Sequence, residues 1–246
     1  MFTLPEGVKP ISVKLLFSIF LFFFLLLVPF EVVCADSVFA DMFSWALHGN
    51  IFYFAADNGV DSDPAPIIPS GGFSLAFQLL QFLKIEFAED IYFTNYQYNT
   101  TLGYPMACNQ EERSALVIGF KTAFHLTGFF PLGETGASFR VFGGPAADFR
   151  IVTLAVGLNH PSDFQDDERN AQRQTDAIRE FFWSDARWFM PVAGFGFDFP
   201  LNDRFLLGFD LRTWFPVYKL WTNDNTPAID GWRFGANLRI TVRNSK

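Results

Sequence analysis

The residues from Trp232 to Val242 alternate between apolar and polar. Because successive side chains of a β-strand point to opposite faces, one face of this segment suits hydrocarbon and the other suits water or buried charge. A soluble strand can show the same alternation. Several such strands behind an export signal favour a transmembrane β-barrel. The apolar positions are Trp232, Phe234, Ala236, Leu238, Ile240 and Val242, and the polar ones are Arg233, Gly235, Asn237, Arg239, Thr241 and Arg243.

Composition supports the membrane interpretation. Of the 246 residues, 50% are hydrophobic and 34 are phenylalanine, which is more aromatic surface than a soluble domain readily buries. A lipid-facing belt uses such residues. The net charge of −8 argues against a nucleic-acid partner.

The N-terminus has the pattern of an export signal. Lys9 and Lys14 precede an apolar run over 15–30. Small residues then place cleavage after Ala35 or after Ala40. The sequence therefore predicts a signal peptide over 1–40 and an outer-membrane β-barrel over 41–246.

Two alternatives remain for this segment: a retained signal anchor, and a lipoprotein anchored on Cys34. Glu31 stands where a lipoprotein signal has an aliphatic residue, which weakens the second. With Cys34 at the end of the leader, Cys108 is the remaining cysteine, so no internal disulfide is expected in the mature chain.

Alternation and turn residues predict an all-β fold. We expect an eight-stranded antiparallel up-and-down transmembrane β-barrel with short periplasmic turns and longer extracellular loops, because the connections alternate between long and short. In the third strand Glu89 shares a face with apolar residues, which predicts either a bulge or an error in the assigned register. The polar stretch 158–185 is interpreted as a solvated cap with a short surface helix. The predicted strands are 43–56, 71–81, 84–98, 114–128, 137–156, 186–199, 204–219 and 230–243.

Inward-facing charges are predicted in the periplasmic half of the barrel. Charges of both signs in a narrow lumen must pair, because an isolated buried charge is costly. Two interpretations remain open: a polar plug that closes the barrel, and a gated pore for ions. The predicted lumen charge network comprises Glu86, Lys121, His125, Arg140, Asp198, Arg204, Asp210 and Arg239.

The inward positions of the extracellular half are mainly apolar. They either fill a core or line a pocket for an apolar ligand. Prolines 145, 191 and 216 fall within predicted strands, where a missing N–H marks a gap in the wall, unless they lie beyond the membrane. The predicted ligand-binding residues are Phe52, Phe54, Val117, Trp188, Met190, Val192 and Trp214.

The chain resembles the OmpW/AlkL family of small eight-stranded outer-membrane barrels. The resemblance rests on the export signal, the hairpin rhythm, the terminal segment GWRFGANLRITV and an apolar upper lumen above a charged lower one, over about 41–246. It implies uptake of small hydrophobic molecules through a lateral opening. One departure is that the last strand is followed by Arg243-Asn244-Ser245-Lys246 and not by a terminal aromatic residue. The alternative is a structural or adhesive barrel of the OmpX or OmpA type, whose loops bind host components.

Catalytic and metal sites find little support. His160 lies beside Ser162 and Asp163, but a catalytic triad is rarely adjacent in sequence. The segment DNGVDSD, at 57–63, lacks the closing glutamate of a calcium loop. We therefore expect no enzyme activity, no metal and no cofactor. The expected partners of a monomeric barrel are outer-membrane lipid, the assembly machinery, a small hydrophobic solute and, on the adhesive interpretation, host or matrix molecules.

Overall fold

The computed structural model describes residues 42–55, 67–99, 103–108, 113–155, 164–220, 222 and 231–243. The chain divides into two units, Met1–Met42 and Phe43–Lys246. The predicted signal peptide with its cleavage sites lies outside the described residues, as do the segment 57–63 and the group from His160 to Asp163.

The second unit is built almost entirely of strands. One long helix, α1, covers Phe164–Trp183, and short 3₁₀ turns cover Ser184–Ala186 and Val217–Leu220. The strands in the described segments are β1 (Phe43–Ala55), β2 (Ile67–Leu80), β3 (Leu83–Asn99), β4 (Tyr104–Ala107), β5 (Ala115–Pro131), β6 (Ser138–Gly144), β7 (Ala146–Leu154), β8 (Val192–Pro200), β9 (Phe205–Trp214) and β10 (Trp232–Arg243).

These strands form a closed antiparallel barrel. Its neighbour order is β2-β1-β10-β9-β8-β6-β5-β3, and β3 pairs with both β2 and β5, which closes the ring. β6 and β7 act as one strand interrupted at Pro145, and β4 adds only a short ladder to the end of β3. The predicted eight-stranded up-and-down barrel is confirmed.

The two ends of the barrel differ in their connections. Residues 81–82, 132–137 and 201–204 join strands at one end, which we call the lower end. The strand ends that the longer connections join lie at the opposite or upper end, together with α1. This is the alternation that the sequence predicted.

Burial in the barrel is inverted relative to a soluble protein. In β10, Arg233 and Arg239 are 2% and 4% exposed, whereas Leu238 and Ile240 are 57% and 48% exposed. Apolar side chains of the other strands are exposed in the same way, for example Leu47 and Phe93. A surface of this kind is stable against hydrocarbon and not against water, so the barrel spans a membrane with its charges inside.

Prolines shorten two strands relative to the prediction, β8 at its start and β9 at its end. β8 begins at Val192, directly after Pro191, and not at 186; β9 ends at Trp214, before Pro216, and not at 219. Phe215 N donates to Pro191 O at 2.9 Å, but Pro191 has no N–H to return the bond. The chain therefore leaves the ladder at these two points.

Pro145 does not open the wall, contrary to the prediction. Phe124 N donates to Pro145 O at 3.0 Å, and β6 and β7 keep one register against β5. On the other side, Met190 N donates to Ala146 O at 2.9 Å. A proline at this position removes one donor and leaves the flanking ladder intact, so the expected gap is absent at Pro145.

The bulge expected at Glu89 is also absent. The register of β3 runs without a shift past Glu89 on both sides, and the residue lies on the outer face opposite Phe73 and Thr122. Thr122 Oγ1 donates to Glu89 Oε2 at 2.6 Å, and the side chain is only 9% exposed. A hydrogen bond between neighbouring strands thus accommodates the carboxyl group without distorting the strand.

The expected solvated cap is in part a packed helix. Along α1 the buried residues Ala171, Thr175, Ile178 and Phe182 recur every three or four positions, which forms one stripe. Thr175 Oγ1 also donates to Ser114 O at 3.1 Å. The helix therefore docks on the upper end of the barrel. Among the helices of the described segments, none is both long and apolar enough to cross a membrane.

Candidate functional site

An ion-pair network closes the lower half of the lumen. Arg140 lies between two carboxylates: its Nε is 2.6 Å from Asp210 Oδ1, and its Nη1 is 3.2 Å from Glu86 Oε2. Arg239 continues the network, with Nη2 2.6 Å from Asp198 Oδ1 and Nη1 3.5 Å from Glu86 Oε2. All five side chains are buried. These five members of the predicted network come together as one plug.

The network extends upwards through residues that the sequence analysis did not assign to it. Arg212 Nη2 is 3.5 Å from Asp210 Oδ2, and its Nη1 is 3.4 Å from Asp90 Oδ2. His48 Nε2 pairs with Asp90 Oδ1 at 2.9 Å. Asn237 Nδ2 donates to Asp210 Oδ2 at 2.8 Å. All of these residues lie on inward positions of their strands, so alternation alone could have included them.

The other predicted members lie outside this network. Arg204 is exposed at the turn before β9. His125 is buried, but its ring packs on Phe142 with the ring centroids 5.0 Å apart, and its Nε2 has no hydrogen-bond partner among the described residues. An inward position therefore did not suffice to place a charged residue in the network.

Lys121 occupies the middle of the lumen without a hydrogen-bond partner among the described residues. Its Nζ lies 4.4 Å from the ring centroid of Trp214 and 5.0 Å from that of Tyr92, and it faces the ring of Phe52 as well. Aromatic faces attract cations, so the three rings stabilise this ammonium in place of a carboxylate.

An apolar core fills the barrel around Lys121. Phe52 packs edge-on against Tyr92, with the ring centroids 5.1 Å apart. An eight-stranded barrel is just wide enough for side chains to fill it, so little space remains here. Four of the predicted ligand-binding residues, Phe52, Met190, Val192 and Trp214, therefore lie in a packed core. The buried cluster comprises Phe52, Ile68, Tyr92, Ala123, Ala146, Met190, Val192 and Trp214.

Helix α1 covers part of the upper end and forms a second core there. Ile178 and Phe182 pack on inward residues of β3, β5 and β7, and the rings of Phe182 and Tyr96 meet edge to face at 5.1 Å. Val117, predicted to bind ligand, is fully buried in this cluster. Its members are Tyr96, Ala107, Ala115, Val117, Val152, Ile178 and Phe182.

A charged cluster lies between the two cores, where the sequence predicted an apolar lumen. Asp148 accepts from Tyr92 Oη at 2.8 Å and from Arg150 Nε at 2.7 Å, and it also pairs with Arg233. Gly119 faces Tyr92, and a Cβ at this position would collide with the ring, so only glycine lets Tyr92 lie across the lumen. Arg150 and Arg233 stand on regular inward positions, which is the signal that could have identified them.

An open depression lies beside this cluster at the upper end. Its cavity volume is about 30 Å³, and it opens to solvent. Phe54, one of the predicted ligand-binding residues, lies in its wall, but Trp188 does not. Trp188 stacks instead on Phe149, an outward-facing ring that is 39% exposed. The depression is lined by Phe54, Tyr96, Pro105, Arg150, Phe181, Phe182, Arg187, Met190, Tyr218, Gly231 and Arg233.

The wall next to the depression is not continuous sheet. Asp148 N still donates to Trp188 O at 2.7 Å. Above this bond the free edge of β7 faces α1, where Arg179 Nη2 donates to Val152 O at 3.3 Å. At this height the neighbours of β7 round the barrel are not strands. They include Arg187, which directly follows the first 3₁₀ turn, and Tyr218 in the second turn, and both line the depression.

Metal chemistry has no evident basis in the described part of the chain, where no three His, Cys, Asp or Glu side chains are grouped to hold an ion. The described cysteine, Cys108, forms no disulfide with another described residue.

No protein-family model matches the chain, and no curated protein matches it significantly. Solved structures do match. Neisserial surface protein A is 8% identical with a TM-score of 0.47, over 82% of this chain and 97% of that one. OprG from Pseudomonas aeruginosa is 10% identical with a TM-score of 0.48, over 83% and 98%. Ail of Yersinia pestis, in complex with the heparin analogue sucrose octasulfate, is 7% identical with a TM-score of 0.42, over 82% and 96%. These values carry no argument about activity, and membership of the OmpW/AlkL family stays a prediction.

Proposed function

We propose that the protein is an integral outer-membrane barrel that binds small, mainly apolar molecules at its upper end and releases them sideways into the bilayer. The observation that carries this proposal is the depression beneath α1, which ends against a section of wall without a strand ladder. A pocket with aromatic residues in its wall, beside a section of membrane-spanning wall without a ladder, suits a mainly apolar solute that partitions into lipid.

The straight route through the barrel is closed. Below the depression, Met190 and Trp214 belong to a packed core, and beneath that core Arg140 bridges Glu86 and Asp210. Such a plug is costly to open, because separating the buried charges leaves each of them without its partner. A molecule that enters from the upper end therefore cannot continue to the lower end.

The sideways route is the weaker part of the wall. β7 continues to Leu154, but β8 begins only at Val192 and β9 ends at Trp214. At the height of the depression, the neighbours of β7 are held by side chains and isolated hydrogen bonds, which separate more readily than a ladder. We place the exit between the upper part of β7 and the segment 184–190.

Uptake of N-phenyl-1-naphthylamine by Gram-negative cells tests the proposal, since this neutral dye fluoresces once it enters the membrane. Cells that express the protein should take up the dye faster than cells that lack it. Phe181→Asp places a carboxylate in the wall of the depression and should return uptake to the background rate.

Gln172→Asp is the control on the same helix. Gln172 is exposed and lies outside both the depression and the proposed exit, so this variant should retain uptake. Folding of each variant is checked by its altered mobility on gels before and after heating. If the wild-type protein adds nothing to the background rate, or if Phe181→Asp transports normally, the proposal is wrong and the structural or adhesive alternative is favoured.

A further inference from the structure

Charge is divided unequally between the two halves of the lumen. In the lower lumen the buried carboxylates are matched by an equal number of cations. Above them the balance becomes positive, because Arg150 and Arg233 share the single buried carboxylate of Asp148. This comparison covers the described residues that face the lumen, apart from Lys121, which lies among aromatic rings between the two sets. The lower set is Glu86, Asp90, Asp198 and Asp210 against Arg140, Arg212, Arg239 and the half-buried Lys84.

Arg233 carries a donor that the protein leaves unsatisfied. Asp148 already accepts from Tyr92, Arg150 and Arg233. Arg233 is 2% exposed, yet its Nε has no hydrogen-bond partner among the described residues. Arg212 and Arg239 lower in the lumen also have an Nε without such a partner, but of these three arginines it is Arg233 that lines the depression. Buried donors without an acceptor are rare, because each loses the hydrogen bond that it makes to water.

The surplus adjoins the depression. Arg150 and Arg233 line it, and Arg187 enters from the 3₁₀ turn, paired with the exposed Asp185 at 2.8 Å. Opposite these arginines the wall is aromatic. Phe54 lies against the Arg233 guanidinium at 5.1 Å, and Phe182 lies against that of Arg150 at 4.2 Å. One site thus offers guanidinium donors and apolar surface side by side.

We propose that the ligand of this depression is an anionic amphiphile, a small carboxylic acid with an aliphatic or aromatic body. The inference rests on the function proposed above and names the class of solute. The carboxylate accepts from Arg233 and Arg150, which restores charge balance in the upper lumen, and the body packs on Phe54 and Phe181. Arginine is well suited to this role because its planar donors match both oxygens of a carboxylate.

Three probes with the same chain and different head groups test the charge requirement: octanoate, octanol and octylammonium. Binding is measured by equilibrium dialysis against the full barrel in zwitterionic lipid nanodiscs, with empty nanodiscs as the blank. Octanoate should bind about tenfold or more tightly than octanol, the difference that one charge-assisted hydrogen bond supplies. Octylammonium should bind most weakly. Added salt should weaken octanoate binding and leave octanol binding unchanged.

Phe54→Glu and Phe54→Gln form a matched pair of variants that differ only in charge. Phe54→Glu places a carboxylate beside Arg233, where it competes with the ligand, so octanoate binding should fall by about tenfold or more. Phe54→Gln removes the same ring without adding charge and should retain the preference for octanoate over octanol. Both variants act at a half-buried position, and their folding is verified by gel mobility.

The outcomes separate this inference from the function on which it rests. Equal binding of octanoate and octanol overturns the anionic class and leaves apolar uptake standing. Equal loss in Phe54→Glu and Phe54→Gln overturns the role of charge in the same way. If none of the three probes binds above the blank, the proposed function and this inference both fail.

Discussion

Replacing Arg140 by methionine tests whether the lower network stabilises the barrel. The change leaves Glu86 and Asp210 buried at 1% and 0% exposure without their main cationic partner. Breaking a buried ion pair costs about 3–5 kcal/mol. Glu86 keeps Arg239 at 3.5 Å and Asp210 keeps Asn237 at 2.8 Å, so we expect a loss near the lower limit, about 3 kcal/mol.

The measurement is equilibrium unfolding in urea, with the protein reconstituted in lipid vesicles and followed by tryptophan emission. The urea concentration at the unfolding midpoint should fall. The slope of the free energy of unfolding against urea should stay constant, because the surface area exposed on unfolding does not change. Arg173→Met on the exposed face of α1 is the control and should change stability by less than about 0.5 kcal/mol. If Arg140→Met costs no more than Arg173→Met, the network is not a stabilising plug and our reasoning about a closed lumen is wrong.

Three further predictions follow from the upper end and the closed lumen. In a Cys108→Ser background, the pair Ala147→Cys and Phe189→Cys bridges the last cross-strand contact below the proposed exit; oxidation should slow dye uptake and a reductant should restore it, and unchanged uptake after oxidation would remove the exit from this seam. The wild-type protein in a planar bilayer should show no steady ion conductance, because core and network both block the axis; a stable open level would support the gated pore. Ile178→Ala truncates a fully buried side chain on the barrel-facing side of α1 and should lower the free energy of unfolding in urea by about 2–4 kcal/mol; a loss under about 1 kcal/mol would indicate that the helix is not packed on the barrel.

Several errors of the sequence analysis have one cause, which is that alternation predicts a face and not a contact. Lys121 and Arg140 were assigned to the same network because both face inward. In the barrel Arg140 lies between two carboxylates, whereas Lys121 lies among aromatic rings. Which charges meet depends on residues distant in sequence that share a height in the lumen. No local pattern contains that height.

The helix shows a second limit. Among the residues of α1 whose burial is described, the buried stripe runs from Ala171 to Phe182 and includes the polar Thr175. A window that stops at position 180 contains few apolar residues and reads as solvated. The stripe becomes apolar enough to dock only when Phe182 is included and when an open barrel end is available to receive it.

The sequence by itself determined the barrel, its number of strands and which face of each strand is apolar. The side chains of a strand alternate with a period of two residues, and a sheet that spans a membrane must be closed so that no strand edge is exposed to lipid. The tertiary structure alone decided what the interior does. In the closed sheet Arg233 lies beside Asp148 and Arg150. Helix α1 packs on the end of the barrel above these residues, and the strand ladder ends beside them. These arrangements depend on the stagger of strands around a cylinder, and a linear pattern of apolar and polar residues does not encode that stagger.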